Sequence, residues 1–194
     1  MPTVHQATWE LLRALGVRKV FGNPGSTEMP FLADFPADID YVLALHEGSV
    51  VGMADAYAQA TGEPTLVNLH TAAGLGTAMG AIVNAAGAHS PLVITAGQQV
   101  RAMLTLEPLL SNPDATTLPK PAVKWAFEPP RAQDVPAALA RAFHYASLPP
   151  AGPVFGLWAK LRDQLDSIRQ VRATLRAGFS SSAREIQLGR MPSS

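Results

Sequence analysis

Four short apolar runs end in polar residues of the kinds that move protons or hold anions. After KVFG come Asn23, Pro24, Gly25, Ser26, Thr27 and Glu28. His46 and Glu47 follow YVLAL, His70 follows PTLVNL, and Gln98 and Gln99 follow LVITAG. Glu47 reads in two ways. An acid is favoured at a helix N-terminus for structural reasons alone, and a carboxyl group in apolar surroundings can share or donate a proton. His70 is either a satisfied core histidine or a proton carrier suited to neutral pH. The NPGST run is turn chemistry with Ser26 or Thr27 as a helix cap. It is equally a set of backbone N–H groups and a Ser26 hydroxyl turned to an anion.

These groups meet only if the runs are neighbouring parallel strands whose carboxyl ends share a rim. The pattern predicts that arrangement, because helical and strand rhythms alternate along the chain. Helices are expected over 3–15, 47–61, 74–87 and 133–147, with Gly16 and Gly62 as stops for the first two. Strands are expected over 19–22, 40–46, 64–70, 91–97 and 121–127, with a last one opening at 153–155. The Pro-rich passage 108–121 reads as loop. The expected class is α/β, a parallel sheet of about six strands with helices on both faces.

Gly74-Leu-Gly76-Thr-Ala-Met-Gly80 loosely matches a dinucleotide fingerprint, but no acid lies between Glu63 and Glu107 to hold a ribose. Small residues that let a helix pack closely explain it as well. His5, His89 and His144 show no metal-ligand spacing, so no metal site is expected in the chain.

Composition excludes several classes. The 194 residues hold no cysteine, which removes disulfides, thiolate metal sites and a Cys nucleophile. Net charge is zero, against nucleic-acid or polybasic membrane binding. No segment reads as a secretory signal or a membrane span, so a cytoplasmic location is expected. Residues 1–155 carry 8 basic and 12 acidic side chains, whereas residues 156–194 carry 7 and 3. The second stretch reads as a divergent basic tail with helical rhythm through Leu157, Leu161, Leu165 and Ile168, either a solvated helix with a frayed end or a basic face for a membrane or a partner.

FGNPGSTEMPFLADFP, YVLALHEGSVVGMADAYAQATG, VNLHTAAGLGTAMGAIVNAAGAHSPLVITAGQQ and LPKPAVKW together resemble the N-terminal, pyrimidine-binding domain of thiamine-diphosphate-dependent enzymes. The resemblance covers about residues 3 to 155. It implies thiamine diphosphate as cofactor and decarboxylation of a 2-oxo acid, an aromatic one in the branch most resembled. It implies that Glu47 hydrogen-bonds N1′ of the aminopyrimidine and promotes removal of the C2 proton. Ser26 would contact the substrate carboxylate and His70 would transfer protons. Asn23, Pro24, Gly25, His70 and Gly74 would lie by the cofactor, and Leu109 and Leu110 would line the aryl pocket. Thr77 and Thr117 stand where asparagine is usual. The resemblance also implies a homo-oligomer, in which the diphosphate and its Mg²⁺ are held by a further domain of another chain, whose Gly-Asp-Gly…Asn motif these residues lack. A truncated or frameshifted product is the expected account of the ending. A related carboligase and a non-catalytic partner subunit are the alternatives.

Overall fold

The computed structural model describes residues 3–112 and 114–159. Thr3 opens the first helix, α1 (Val4–Ala14), with a reciprocal cap. Its hydroxyl accepts from the Gln6 N–H at 3.1 Å, and the Gln6 side chain accepts from the Thr3 N–H at 2.9 Å. Gly16 follows with φ +81°, a conformation that a glycine adopts without steric cost.

The strands are β1 (Lys19–Asn23), β2 (Asp40–Leu43), β3 (Thr65–Leu69), β4 (Leu92–Gln98), β5 (Ala126–Phe127) and β6 (Val154–Ala159). They form one parallel sheet in the order β2-β1-β3-β4-β6-β5. The remaining helices are α2 (Met29–Leu32), α3 (Glu47–Thr61), α4 (Thr71–Gly87), α5 (Arg101–Leu104) and α6 (Val135–Ser147). Because the sheet is covered on both faces, β3 and β4 are buried at every position.

Alternation along each strand divides the core in two. Val20, Leu66, Val93 and Val154 face α1 and α6, packing with Leu11, Leu12, Leu139 and Phe143. Phe21, Val67, Leu69, Ile94 and Phe155 face α3 and α4, packing with Val50, Ala54, Leu75 and Ile82. The chain leaves β1 for β2 on one side and returns to β3 on the other. That reversal falls between β1 and β3, and open parallel sheets bind ligands beyond the carboxyl ends of the strands at such a point.

The α/β class, the six strands and the helices on both faces are as expected. Several bounds differ. The strand expected over 40–46 stops at Leu43, and that over 121–127 shrinks to Ala126–Phe127. The helix expected from 74 begins at Thr71. The last strand, expected to open at 153–155, does not give way to helix at 156. It runs on to Ala159, since β4 pairs with it from Val154 to Ala159 and β5 pairs with it on the other side. Strand thus continues four residues beyond the boundary expected at 155. The helical rhythm expected beyond it, through Leu161, Leu165 and Ile168, falls outside the described residues.

Candidate functional site

Glu47 is the first residue of α3, just past the end of β2. It is half-buried in a seat made by two other segments. The Asn23 side-chain amide, at the end of β1, donates to Glu47 Oε1 at 3.2 Å. Gly74 of α4 lies beneath the carboxyl group, where a β-carbon would stand 3.0 Å from Oε1 and 3.2 Å from Cγ. No described residue hydrogen-bonds the other oxygen, Oε2. The two readings of Glu47 are therefore compatible: it occupies a helix N-terminus, and one of its oxygens has no hydrogen-bond partner among the described residues.

His70 follows β3 and precedes α4. Its side chain is 25% exposed, so it is a rim residue and not a core histidine. Its ring lies on Gly25, where a β-carbon would come within 2.1 Å of Nδ1, 2.3 Å of Cε1 and 2.5 Å of Cγ. Nδ1 faces the carboxylate of Glu28 at 2.8 Å from Oε2. Thr71, the next residue, has φ +49°, an uncommon conformation for a β-branched side chain.

Glu28 is the residue that reading the sequence passed over. Its side chain is fully buried. Oε2 also accepts from the Gly25 N–H at 2.8 Å. Oε1 accepts from the Gly97 N–H at 2.8 Å and from the Thr27 hydroxyl at 2.6 Å, with the Thr71 N–H further off at 3.4 Å. One carboxylate thus ties together the ends of β1, β3 and β4. The only signal in the sequence was an acid inside a turn that already held Ser26 and Thr27. Neither hydroxyl caps α2, whose N-cap is Glu28 with no side-chain cap bond. Thr27 is buried on Glu28, while Ser26 is exposed. On the sheet face beneath, Tyr41 is held neutral, its phenol pushed well above the ordinary value by burial and by the charge of Glu28.

Gln98 and Gln99 leave β4 and pin the following loop. Gln98 donates to the Asn112 carbonyl at 2.8 Å and accepts from the Asn112 N–H at 3.0 Å. Gln99 donates to the Leu109 carbonyl at 3.1 Å. Leu109 and Leu110 therefore lie beyond the same end of the sheet, Leu109 almost wholly exposed. Pro24 and Gly25 form the turn between Asn23 and Ser26. Thr77 bonds back to the Ala73 carbonyl of its own helix at 2.9 Å. Gly76 and Gly80 belong to α4, whose small residues lie beside α3: a β-carbon at Gly48 would stand 3.8 Å from the Thr77 carbonyl oxygen. Among the described residues no group of three His, Asp or Glu could hold a metal ion, and no helix is long and apolar enough to cross a membrane.

The parallel sheet carries a carboxyl group and an imidazole just past the carboxyl ends of its strands. The chain belongs to the thiamine pyrophosphate enzymes: residues 2–118 match their N-terminal TPP binding domain. Among curated relatives it is 62% identical to benzoylformate decarboxylase of Pseudomonas aeruginosa over 155 residues, covering 80% of this chain and 29% of that protein. It is 34% identical to the acetolactate synthase large subunit of Haemophilus influenzae over 145 residues, covering 74% of this chain and 25% of that one. The crystal structure of benzoylformate decarboxylase from Polynucleobacter necessarius superposes with a TM-score of 0.84 at 50% identity, covering 87% of this chain and 32% of that one. The chain thus spans under a third of the length of each of these proteins.

Proposed function

We propose that these residues form the pyrimidine-binding part of a 2-oxo-acid decarboxylase of the benzoylformate type. The observation that carries it is the seat of Glu47. The carboxyl group is braced on one oxygen by Asn23 and on its flank by Gly74, and among the described residues none hydrogen-bonds Oε2. Such an oxygen fits the N1′ nitrogen of an aminopyrimidine, so the residues present suit thiamine diphosphate. When bound, that cofactor supplies a carbon nucleophile and an electron sink for loss of carbon dioxide.

This chain's own residues do the rest. Glu47 holds a proton between Oε2 and the pyrimidine nitrogen. Ser26, exposed on the turn after β1, offers its hydroxyl to the substrate carboxylate. His70 exchanges protons with the reacting groups at the rim. Asn23, Pro24, Gly25 and Gly74 shape the cofactor's side of the rim, and Leu109 and Leu110 present apolar surface to an aromatic substrate. The diphosphate and its Mg²⁺ are held by a domain of another chain in a homo-oligomer, and the enzyme works in the cytoplasm. Residues 3–159 supply the pyrimidine side of that site.

The test is a fusion of residues 1–159 to the remaining domains of the Pseudomonas aeruginosa relative. Release of benzaldehyde and carbon dioxide from benzoylformate is expected. Acetolactate from pyruvate in its place would favour the carboligase reading, and inactivity of a folded, assembled fusion would remove both. In that fusion Glu47→Gln should slow exchange of the cofactor's C2 proton by about 10²–10⁴-fold, since an amide cannot share the proton. Exchange at the parent rate would leave Glu47 as a helix-terminus acid only.

A further inference from the structure

We propose that Glu28 is a positioning residue that fixes the tautomer of His70. It holds the ring proton on Nδ1, so that Nε2 is the atom that gives and takes protons at the rim. The use of that atom rests on the decarboxylase reading; the tautomer does not.

An ionised carboxylate only accepts hydrogen bonds, and the groups around Glu28 meet that demand. Gly25 N–H, Gly97 N–H and the Thr27 hydroxyl all donate to it, on both oxygens. The contact of 2.8 Å between Oε2 and Nδ1 must then be closed by a proton on the imidazole. In the neutral ring that proton leaves Nε2 with its lone pair. The orientation is over-determined. A β-carbon at Gly25 would occupy the place of the ring, and one at Gly97 would stand 2.3 Å from Glu28 Oε1. Two glycines therefore let the backbones of the β1 turn and of β4 close on a single carboxylate. A buried charge costs solvation free energy unless it is fully hydrogen-bonded, and a residue placed only to fill this space would need no charge. The arrangement is that of metal-binding and catalytic histidines whose second nitrogen is held by a carboxylate.

The experiment uses the full 194-residue chain labelled with ¹⁵N-histidine, without cofactor or substrate, at a pH where the rings are neutral. Long-range N–H correlation spectra report which nitrogen carries the proton, and His70→Gln identifies the His70 signals. The Nδ1–H form is expected to exceed the other by at least roughly tenfold, the bias of a charge-assisted hydrogen bond. Glu28→Gln should abolish the bias or reverse it, because its amide group can donate to Nδ1. A folded Glu28→Gln chain with an unchanged spectrum would overturn the proposal. If that variant does not fold, the parent spectrum decides: an Nε2–H form or an even mixture there overturns it as well. Because no cofactor is present, these outcomes are independent of what the assembled enzyme decarboxylates.

Discussion

The side chains at the rim are held by backbone as much as by other side chains, and glycines make this possible. Gly25 is the sharpest case, since three atoms of the His70 ring lie within 2.5 Å of where its β-carbon would be. Turning the ring about its own axis cannot clear all three, so Gly25→Ala must drive His70 off Glu28. In the fusion enzyme this variant should lose about 10²-fold in turnover, the scale of a misplaced catalytic group, with the far-ultraviolet circular dichroism retained. Undiminished turnover would show that His70 carries no proton in the reaction. At this scale the sequence was informative about placement where local order sets it. Ser26, Glu47 and His70 each lie within four residues after an apolar run, a position that marks a residue for the rim. Glu28 was not legible because its environment is non-local. Gly97, which closes over it, is 69 residues away in the chain, and nothing in NPGSTE says which of its polar groups turns inward.

Elements are fixed by what they pack against, and the two ends of the sheet show it. Helix α3 was readable in full, from Glu47 to the left-handed Gly62 that stops it. The strand β6 was not. Its Gly156 looks like a breaker, but the ladders to β4 and β5 on either side supply the hydrogen bonds that the residue's own propensity does not. Leu157, one step further, is completely buried against the α3 and α4 face. Leu157→Ala should therefore destabilise the domain by about 2–5 kcal/mol in urea unfolding. A change near zero would mean that the strand ends where its sequence suggested. At the opposite end, α1 is tied to the segment before β2 by Arg13, which pairs with both oxygens of Asp38 at 2.8 Å. That guanidinium holds the Asp38 carboxyl below its ordinary value. A carboxyl group with a depressed folded-state value stabilises above its unfolded value, near about pH 4, and loses that contribution as pH falls through the folded one. Asp38→Asn should lower the urea midpoint slightly at about pH 6 and match the parent at about pH 2. The pair is exposed, so added salt should narrow the difference at about pH 6.

For the whole molecule, large apolar side chains are exposed toward the carboxyl end of the sheet. Leu45 is 90% exposed, Leu109 86% and Leu106 76%, and Leu43 and Met29 are more than half exposed. Leu43 ends β2 and Leu45 follows it, Met29 opens α2 after the β1 turn, and Leu106 and Leu109 belong to the loop pinned by Gln99. They share the end of the sheet that carries Glu47 and His70. Single exposed leucines need no explanation, whereas several at one end of a sheet are the pattern expected of a surface that a partner covers. The low charged fraction, 15% of the chain, agrees with this. A second chain seated on the rim would also exclude water from the site, which strengthens the hydrogen bonds of Glu47 and Glu28. Leu45 gives the cleanest test, because no folding contact depends on it. In sedimentation experiments the parent chain should self-associate as its concentration rises. Burying a leucine contributes about 1.5–3 kcal/mol, so Leu45→Ser should weaken that association about tenfold or more. Its thermal midpoint at low concentration should be unchanged, since the side chain is solvated in the monomer already. A parent chain that stays monomeric at every concentration, or a Leu45→Ser chain that associates equally well, would show that another copy does not cover this rim.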